Sequence, residues 1–410
     1  MFRRIKNRPR KKLQFQKRRH MLERLESRLP MANIVWDGGG DGTSWTDARN
    51  WVGDTLPGLS DDVSIDVATN PTIRIASGVQ SIRSLVSNEA LNITGGSLRV
   101  AGTAEVDSSV TLGSASLVGG TWDVSEGIQV TGTATLDAVT VNNDVTVQDG
   151  KSLTVQNAAV LNGKLTLGAN SNLSAGAQVT LACPAVPALS NVNLTAADGA
   201  VISCDSVTTL INVNLNASSG GQILFPAAIS YTGGNYADTT IQASGAGSVI
   251  DLAHLQVLAG GGSNNNYRYA THIKALAGGN VELAGTIGRN GSGAKWNDIQ
   301  VSGVGSKLGV RQVTNLDGTN LAVTILPSLI FEKAAVVTAA SLNAGMGSKL
   351  EFPLATSLTS VSLMASDGGQ IVFPATTSYT GDNHADTTAC ISLAPRVRRG
   401  RIARPPAYGL

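Results

Sequence analysis

Nine apolar-x-apolar triplets recur between Leu181 and Phe373, and their spacing restricts what the chain can fold into more than any other feature. Leu181-Ala182-Cys183, Ile202-Ser203-Cys204 and Ile223-Leu224-Phe225 follow one another at 21 residues. Spacings of 27, 31 and 27 lead to Ile250-Asp251-Leu252, Val281-Glu282-Leu283 and Leu308-Gly309-Val310. The interval returns to 21 at Leu329-Ile330-Phe331, Leu350-Glu351-Phe352 and Ile371-Val372-Phe373. The outer positions are apolar in every copy, while the middle one varies freely. That is a short strand with one buried and one exposed side, because successive side chains of an extended backbone point to opposite faces. A segment this short cannot bury itself, whereas copies stacked on one another share a continuous interior. The sequence therefore predicts an all-β, single-stranded parallel β-helix, or β-solenoid, with about 21 residues per coil in the second half.

A companion row supports the triplets. Val192-Asn193-Leu194 and Val213-Asn214-Leu215 lie 21 apart, as do Ala340-Ser341-Leu342 and Val361-Ser362-Leu363. Between residues 70 and 180 similar triplets follow more quickly, among them Leu98-Arg99-Val100, Trp122-Asp123-Val124 and Leu153-Thr154-Val155. Gly, Asn, Asp and Ser punctuate them, which predicts about three strands per coil and a less regular period. With adjacent coils ~4.8 Å apart, about 15 coils give a rod roughly 70 Å long. Glycine at 46 of 410 residues and aromatics at 4% suit strands and tight turns better than helices.

The net charge of +2 conceals a segregation of sign. Residues 1 to 28 carry 12 Lys or Arg against Glu23 and Glu26, and residues 396 to 410 carry five Arg and no acid, leaving a body with 14 basic and 27 acidic residues. An acidic body argues against nucleic acid as its partner. The basic N-terminal segment, 1–32, reads as a disordered or targeting tail, and 394–410 as a second disordered tail. No window reaches the roughly 18 continuous apolar residues of a membrane span, and no apolar core follows the N-terminal charges as in a standard secretory signal.

Residues 33–67 hold Trp36-Asp37-Gly38-Gly39-Gly40, Trp45, Asn50-Trp51, Pro57 and Asp61-Asp62-Val63-Ser64-Ile65. Three of the five Trp fall within 16 residues, which predicts an N-terminal cap over the exposed end of the solenoid. Asp37, Asp41, Asp61 and Asp62 can be read as a calcium site or as turn residues, and with no calcium nonapeptide present turn chemistry is the better reading. The β-helix proper then divides into 68–180 and 181–393. Cys183 and Cys204 occupy equivalent positions of successive coils and can be either a disulfide or stacked buried thiols, while Cys390 has no evident partner.

Two resemblances accompany these patterns. Leu25-Glu26-Ser27-Arg28-Leu29-Pro30-Met31 resembles the LEPR-XLL segment near the start of large surface proteins of planctomycete-type bacteria. The spacing of Trp36-Asp37-Gly38-Gly39-Gly40, Trp45, Asn50-Trp51, Pro57 and Asp62 to Ile65 resembles the lead-in to β-helical repeats of bacterial adhesin-like and autotransporter-like proteins. Both resemblances imply an extracellular or cell-surface location, and neither implies an activity.

The lengthened periods are where function is expected, because solenoid insertions gather on one face and commonly bind. The loops expected within 226–300 supply Tyr231, Asn235, Tyr236, Asp238, Asn265, Tyr267, Arg268, Tyr269, His272, Arg289 and Trp296 as candidate ligand contacts. Four of the six Tyr lie between 231 and 269. Aromatic faces beside amide and guanidinium donors suit a cell-surface or matrix polysaccharide, although the same rings can simply pin their own loops. Neither cofactor nor metal is called for. The competing class is a polysaccharide lyase or glycoside hydrolase, which needs paired carboxylates or a base with a cation, and Asp238, Asp251, His272 and Lys274 are its candidates. The paired Asp-Asp, Gly-His-Gly and Arg-Ile-Lys signatures of β-helical pectinase-like hydrolases do not occur together. Finally, Tyr231 to Thr240 recurs as Tyr379 to Thr388 before the alternation stops, which predicts a truncated or frame-shifted repeat protein able to self-associate through an uncapped end.

Overall fold

The computed structural model describes residues 32–182, 186–264, 267–289, 296–325 and 328–381, with no side-chain description at 263, 264 and 267. The LEPR-XLL-like segment, both basic tails, Cys183, Cys390 and most of the second decapeptide lie outside them. The described chain is a parallel β-solenoid of about 14 turns. Its one helical element is a 3-10 turn at Ala48–Asn50.

Each coil contributes three strands to three faces. In the first row Leu189, Leu210, Tyr231, Leu258, Ile287, Leu316, Val337, Leu358 and Tyr379 stack in register. In the second, Leu153, Leu173, Leu194 and Leu215 lead to Ile241, Ile273, Ile299, Leu321, Leu342 and Leu363. The third face carries the triplets, and Ile202, Ile223, Ile250, Val281 and Leu308 lie in one parallel ladder. Parallel pairing every coil follows from the repeat itself, since a chain that winds in one sense returns to each face in the same direction.

The alternation inferred from the triplets holds. Ile223, Phe225, Ile250, Leu252, Val281, Leu350 and Phe352 are buried, whereas Leu224, Asp251, Glu282 and Glu351 between them are partly exposed. Phe331, Phe352 and Phe373 stack face to face, with ring centroids 4.5 and 4.9 Å apart. Outside, the middle residues of the second row form an amide ladder: Asn193 Nδ2 donates to Asn172 Oδ1 and Asn214 Nδ2 to Asn193 Oδ1, both at 2.7 Å. The first half is more regular than its sequence suggests, for its third-face strands advance by 18 to 20 residues through Leu85, Ala104, Trp122, Val141 and Leu161.

The Trp block packs at the N-terminal end. Trp36, Trp45 and Trp51 are buried, with edge-to-face ring pairs at 4.8 and 4.9 Å. Asn50 explains the loop between them. Its Oδ1 accepts from the backbone of Gly40 and Gly42, each at 2.9 Å, while its Nδ2 donates to Asp41 Oδ1 and to the Ser44 carbonyl. A fully buried amide is thereby matched at both ends, as burial demands. The acidic residues of the block are used in turns: Asp37 accepts from Gly39 N, Asp41 from Thr43 N and Ser44 N, and Asp61 from Gly58 N. Asp62 instead forks to Arg83. Cys204 is buried and disulfide-bonded rather than a stacked thiol.

Candidate functional site

All three lengthened coils carry most of their extra residues at one corner, between the first and second faces. Ordinary coils cross this corner in five residues, as from Leu189 to Leu194, Leu210 to Leu215 and Leu316 to Leu321. The crossings from Tyr231 to Ile241, Leu258 to Ile273 and Ile287 to Ile299 take 10, 15 and 12 residues. The insertions thus begin one strand later than the triplet spacing suggested, since the steps from Ile223 to Tyr231 and from Ile250 to Leu258 keep the ordinary eight residues.

That shift corrects the assignment of Tyr231. It belongs to the first-row core, stacked between Leu210 and Leu258, and is fully buried. Its hydroxyl donates to the Val213 carbonyl at 2.8 Å, and burial pushes its pKa up. An aromatic ring with a polar tip fits an interior position once that tip has a partner. Tyr231 is no ligand contact.

The insertions stack on one another as the coils do. Gly233 N donates to the Ala259 carbonyl, Gly262 N to Gly234 O, Gly260 N to Gly288 O and Gly261 N to Trp296 O, at 2.7 to 3.2 Å. Gly260-Gly261-Gly262 is buried, and the backbones come too close for any side chain. A Cβ at Gly261 would collide with the Tyr269 carbonyl and one at Gly262 with Asn235. Above this glycine floor the second insertion forms a short antiparallel pair, Ser263–Asn264 with Tyr267–Arg268.

Arg268 and Trp296 meet across the second and third insertions, the guanidinium carbon 5.2 Å from the ring centroid. Arg268, Tyr269, Ala270, Trp296, Asp298 and Asn320 enclose an open recess of about 360 Å³. Beside it His272 lies between two carboxylates, its Nδ1 3.0 Å from Asp298 Oδ2 and its Nε2 3.5 Å from Asp238 Oδ2. Asp238 also accepts from Ala270 N at 2.8 Å. The two carboxylates flank opposite ring nitrogens, so with the ring they do not converge on a single point. Under the site runs a buried polar row, Thr239, Thr271, Asn297 and Thr319, with Thr239 Oγ1 and Thr271 Oγ1 3.0 Å apart.

The remaining candidates separate. Tyr236 is 78% exposed and Asn235 is exposed beside it. Arg289 forks onto Asp317, at 2.9 and 2.8 Å, and Thr338 donates to the same carboxylate. Burial raises the Asp317 carboxyl, but the Arg289 and Thr338 hydrogen bonds outweigh it and hold it below the usual range. Arg289 is therefore committed to a structural pair rather than offered to the recess. Asn265 and the Tyr267 side chain lie outside the described residues. Asp251 sits on the third face, stacked between Leu224 and Glu282, away from Asp238 at the opposite corner. That pairing for catalysis is not formed.

Asp298 and Asn320 were not singled out from the sequence. The register supplies them, because aligning Ile273, Ile299 and Leu321 places His272, Asp298 and Asn320 in one outward row. A wider recess of about 790 Å³ passes Glu282, Lys307, Arg311 and Gln312, and no candidate residue lines it. Among the described residues no helix is long and apolar enough to cross a membrane. No family model, curated protein or solved structure matches the chain.

Proposed function

We propose that the protein is a non-enzymatic, extracellular or cell-surface β-solenoid of bacterial type that serves as an adhesive or structural stalk and touches glycan through its inserted corner. The observation that carries this reading is the convergence of three insertions on one corner, where half-buried Tyr269 lines a recess edged by Arg268, Asp298 and Asn320, and the first insertion exposes Tyr236. Apolar ring surface beside fixed donors and acceptors is the composition that sugar recognition uses. The rest of the rod is a spacer of regular coils, suited to holding that corner away from its point of attachment.

A glycan array probed with the wild-type protein and with Tyr236→Ala and Trp296→Ala tests the proposal. Binding to a defined set of glycans, reduced in both variants while circular dichroism stays unchanged, is the expected result. Silence across the array removes the glycan role and leaves a passive rod. Polysaccharide cleavage is the second reading, favoured by His272 set between Asp238 and Asp298 beside the recess. Reducing ends released from a bound polysaccharide, and lost in Asp298→Asn, would establish it instead.

A further inference from the structure

The recess at the inserted corner contains one cation whose situation is unusual. Arg268 is exposed, and none of its guanidinium N–H groups has a hydrogen-bond or ion-pair partner among the described residues. Yet it lies against the face of Trp296, 5.2 Å from the ring centroid. A cation over a ring is attracted by the ring's quadrupole, and that attraction occupies none of the guanidinium's five hydrogen-bond donors. The other arginines at this end of the solenoid differ. Arg289 forks onto Asp317 and Arg311 faces Glu332.

A guanidinium seated over a ring with its donors unused suits a planar anion. It can meet both oxygens of a carboxylate at once, or two oxygens of a sulfate. The other polar groups around the recess are of a different kind. Asp298 turns Oδ2 to His272, leaving Oδ1 without a partner among the described residues, and Asn320 presents an exposed amide one coil further on. A carboxylate oxygen and an amide accept and donate to hydroxyl groups. Tyr269 contributes ring surface to the same wall.

From this division of labour we infer that the recess takes an anionic sugar unit, with its carboxylate or sulfate on the edge of Arg268 and its hydroxyls toward Asp298 and Asn320. The inference rests on the glycan reading above and specifies its ligand class. Asp298 has a cost in this arrangement, because its charge opposes an incoming anion. His272 on Oδ2 moderates that charge without removing it. The anion therefore approaches from the Arg268 rim, and the Asp298 charge should limit affinity rather than supply it.

Titration calorimetry on the full chain with matched oligosaccharides of one backbone, neutral, uronate-bearing and sulfated, tests this. The anionic forms should bind about tenfold more tightly than the neutral one, the carboxylated or sulfated member of the pair naming the source of the anion. Arg268→Gln should abolish the preference and Arg268→Lys should retain only part of it, since an ammonium gives a charge without the fork. Asp298→Asn should strengthen anion binding while keeping a hydroxyl acceptor. Neutral sugar binding with no anion preference, or a preference that survives Arg268→Gln, overturns the inference and leaves the glycan reading standing. No binding of any form overturns both. Circular dichroism of each variant guards against misfolding.

Discussion

The imidazole of His272 is joined to the carboxylate of Asp298, 26 residues later in the chain, by a 3.0 Å contact from Nδ1 to Oδ2. Its other nitrogen is 3.5 Å from Asp238, in the first insertion. One ring therefore ties together side chains from three consecutive coils. Replacing it by Ala should loosen the corner without unfolding the rod. Hydrogen exchange in residues 233–238 is expected to accelerate, while the global urea midpoint moves by less than about 1 kcal/mol equivalent, because all three groups are partly exposed and screened. A large fall in the midpoint would show the triad to be structural at the level of the whole fold.

Ile223 and Leu224 are neighbours in sequence and opposite in environment. Ile223 is fully buried between Ile202 and Ile250, and Leu224 faces outward. Ile223→Asp should cost several kcal/mol, of order 3 to 5, by placing an unpaired charge in the stack. Leu224→Asp should change stability by less than about 1 kcal/mol. Urea denaturation of both variants is the measurement, and equal losses would contradict the inward and outward assignment.

The glycine floor makes a sharper demand. Gly261 has no room for a methyl group because the Tyr269 carbonyl occupies its place. Gly261→Ala should destabilise the protein by about 1 to 3 kcal/mol through overpacking, and should disturb ligand binding at the corner as well. Gly53, at the surface, has nothing near its Cβ position and a positive φ of 81°. Gly53→Ala isolates the backbone penalty, expected at about 1 kcal/mol. Thermal unfolding of the pair, with equal shifts, would dismiss the close approach as the cause at Gly261.

Acid should act on the cap through Asp41. Hydrogen bonds from the Ser44 and Thr43 backbones, with a further one from Asn50, hold its carboxyl well below the usual carboxylate range. A carboxyl depressed in the folded state stabilises it above the unfolded value, about 3.9, and loses that contribution as pH falls toward the folded value. Between pH 7 and about 4.5 the Asp41 contribution should thus be constant, and below about 4 it should decline. Tryptophan emission from the cap, followed through an acid titration of wild type and Asp41→Asn, reads this out. The variant should be less stable near neutrality and should lack this part of the acid sensitivity, and parallel titration curves would contradict the assignment.

The stack was legible because burial leaves a period that no surface requirement imposes. Leu181, Ile202 and Ile223 repeat at 21 since each must meet the next inside, and the alternation around them follows from strand geometry. Tyr231 was misplaced because it replaces Leu in the first row, and an isolated Tyr next to Gly-Gly-Asn carries the marks of a loop. Aligning it with Leu210 and Leu258, rather than counting from the triplets, locates it correctly. Asp37, Asp41 and Asp61 were legible as turn residues, because Asp close to Gly and Ser has local N–H groups within reach, whereas the pairing of Asp62 with Arg83 on the next coil depends on register. Asp298 and Arg289 were harder to read. Whether a surface charge faces a recess or a partner depends on the register of coils whose lengths differ, and sequence spacing alone does not resolve that register across three unequal insertions.

The insertions share one point of exit and one of return. Two design problems are thereby uncoupled in this molecule, for the interior answers to stacking alone while the corner answers to whatever it meets. A library confined to residues 235–237 and 267–269, with the glycines of the corner left intact, would vary contact chemistry on an unchanged chassis. Small insertions at that corner would likewise change the surface it presents without refashioning the spine that carries it.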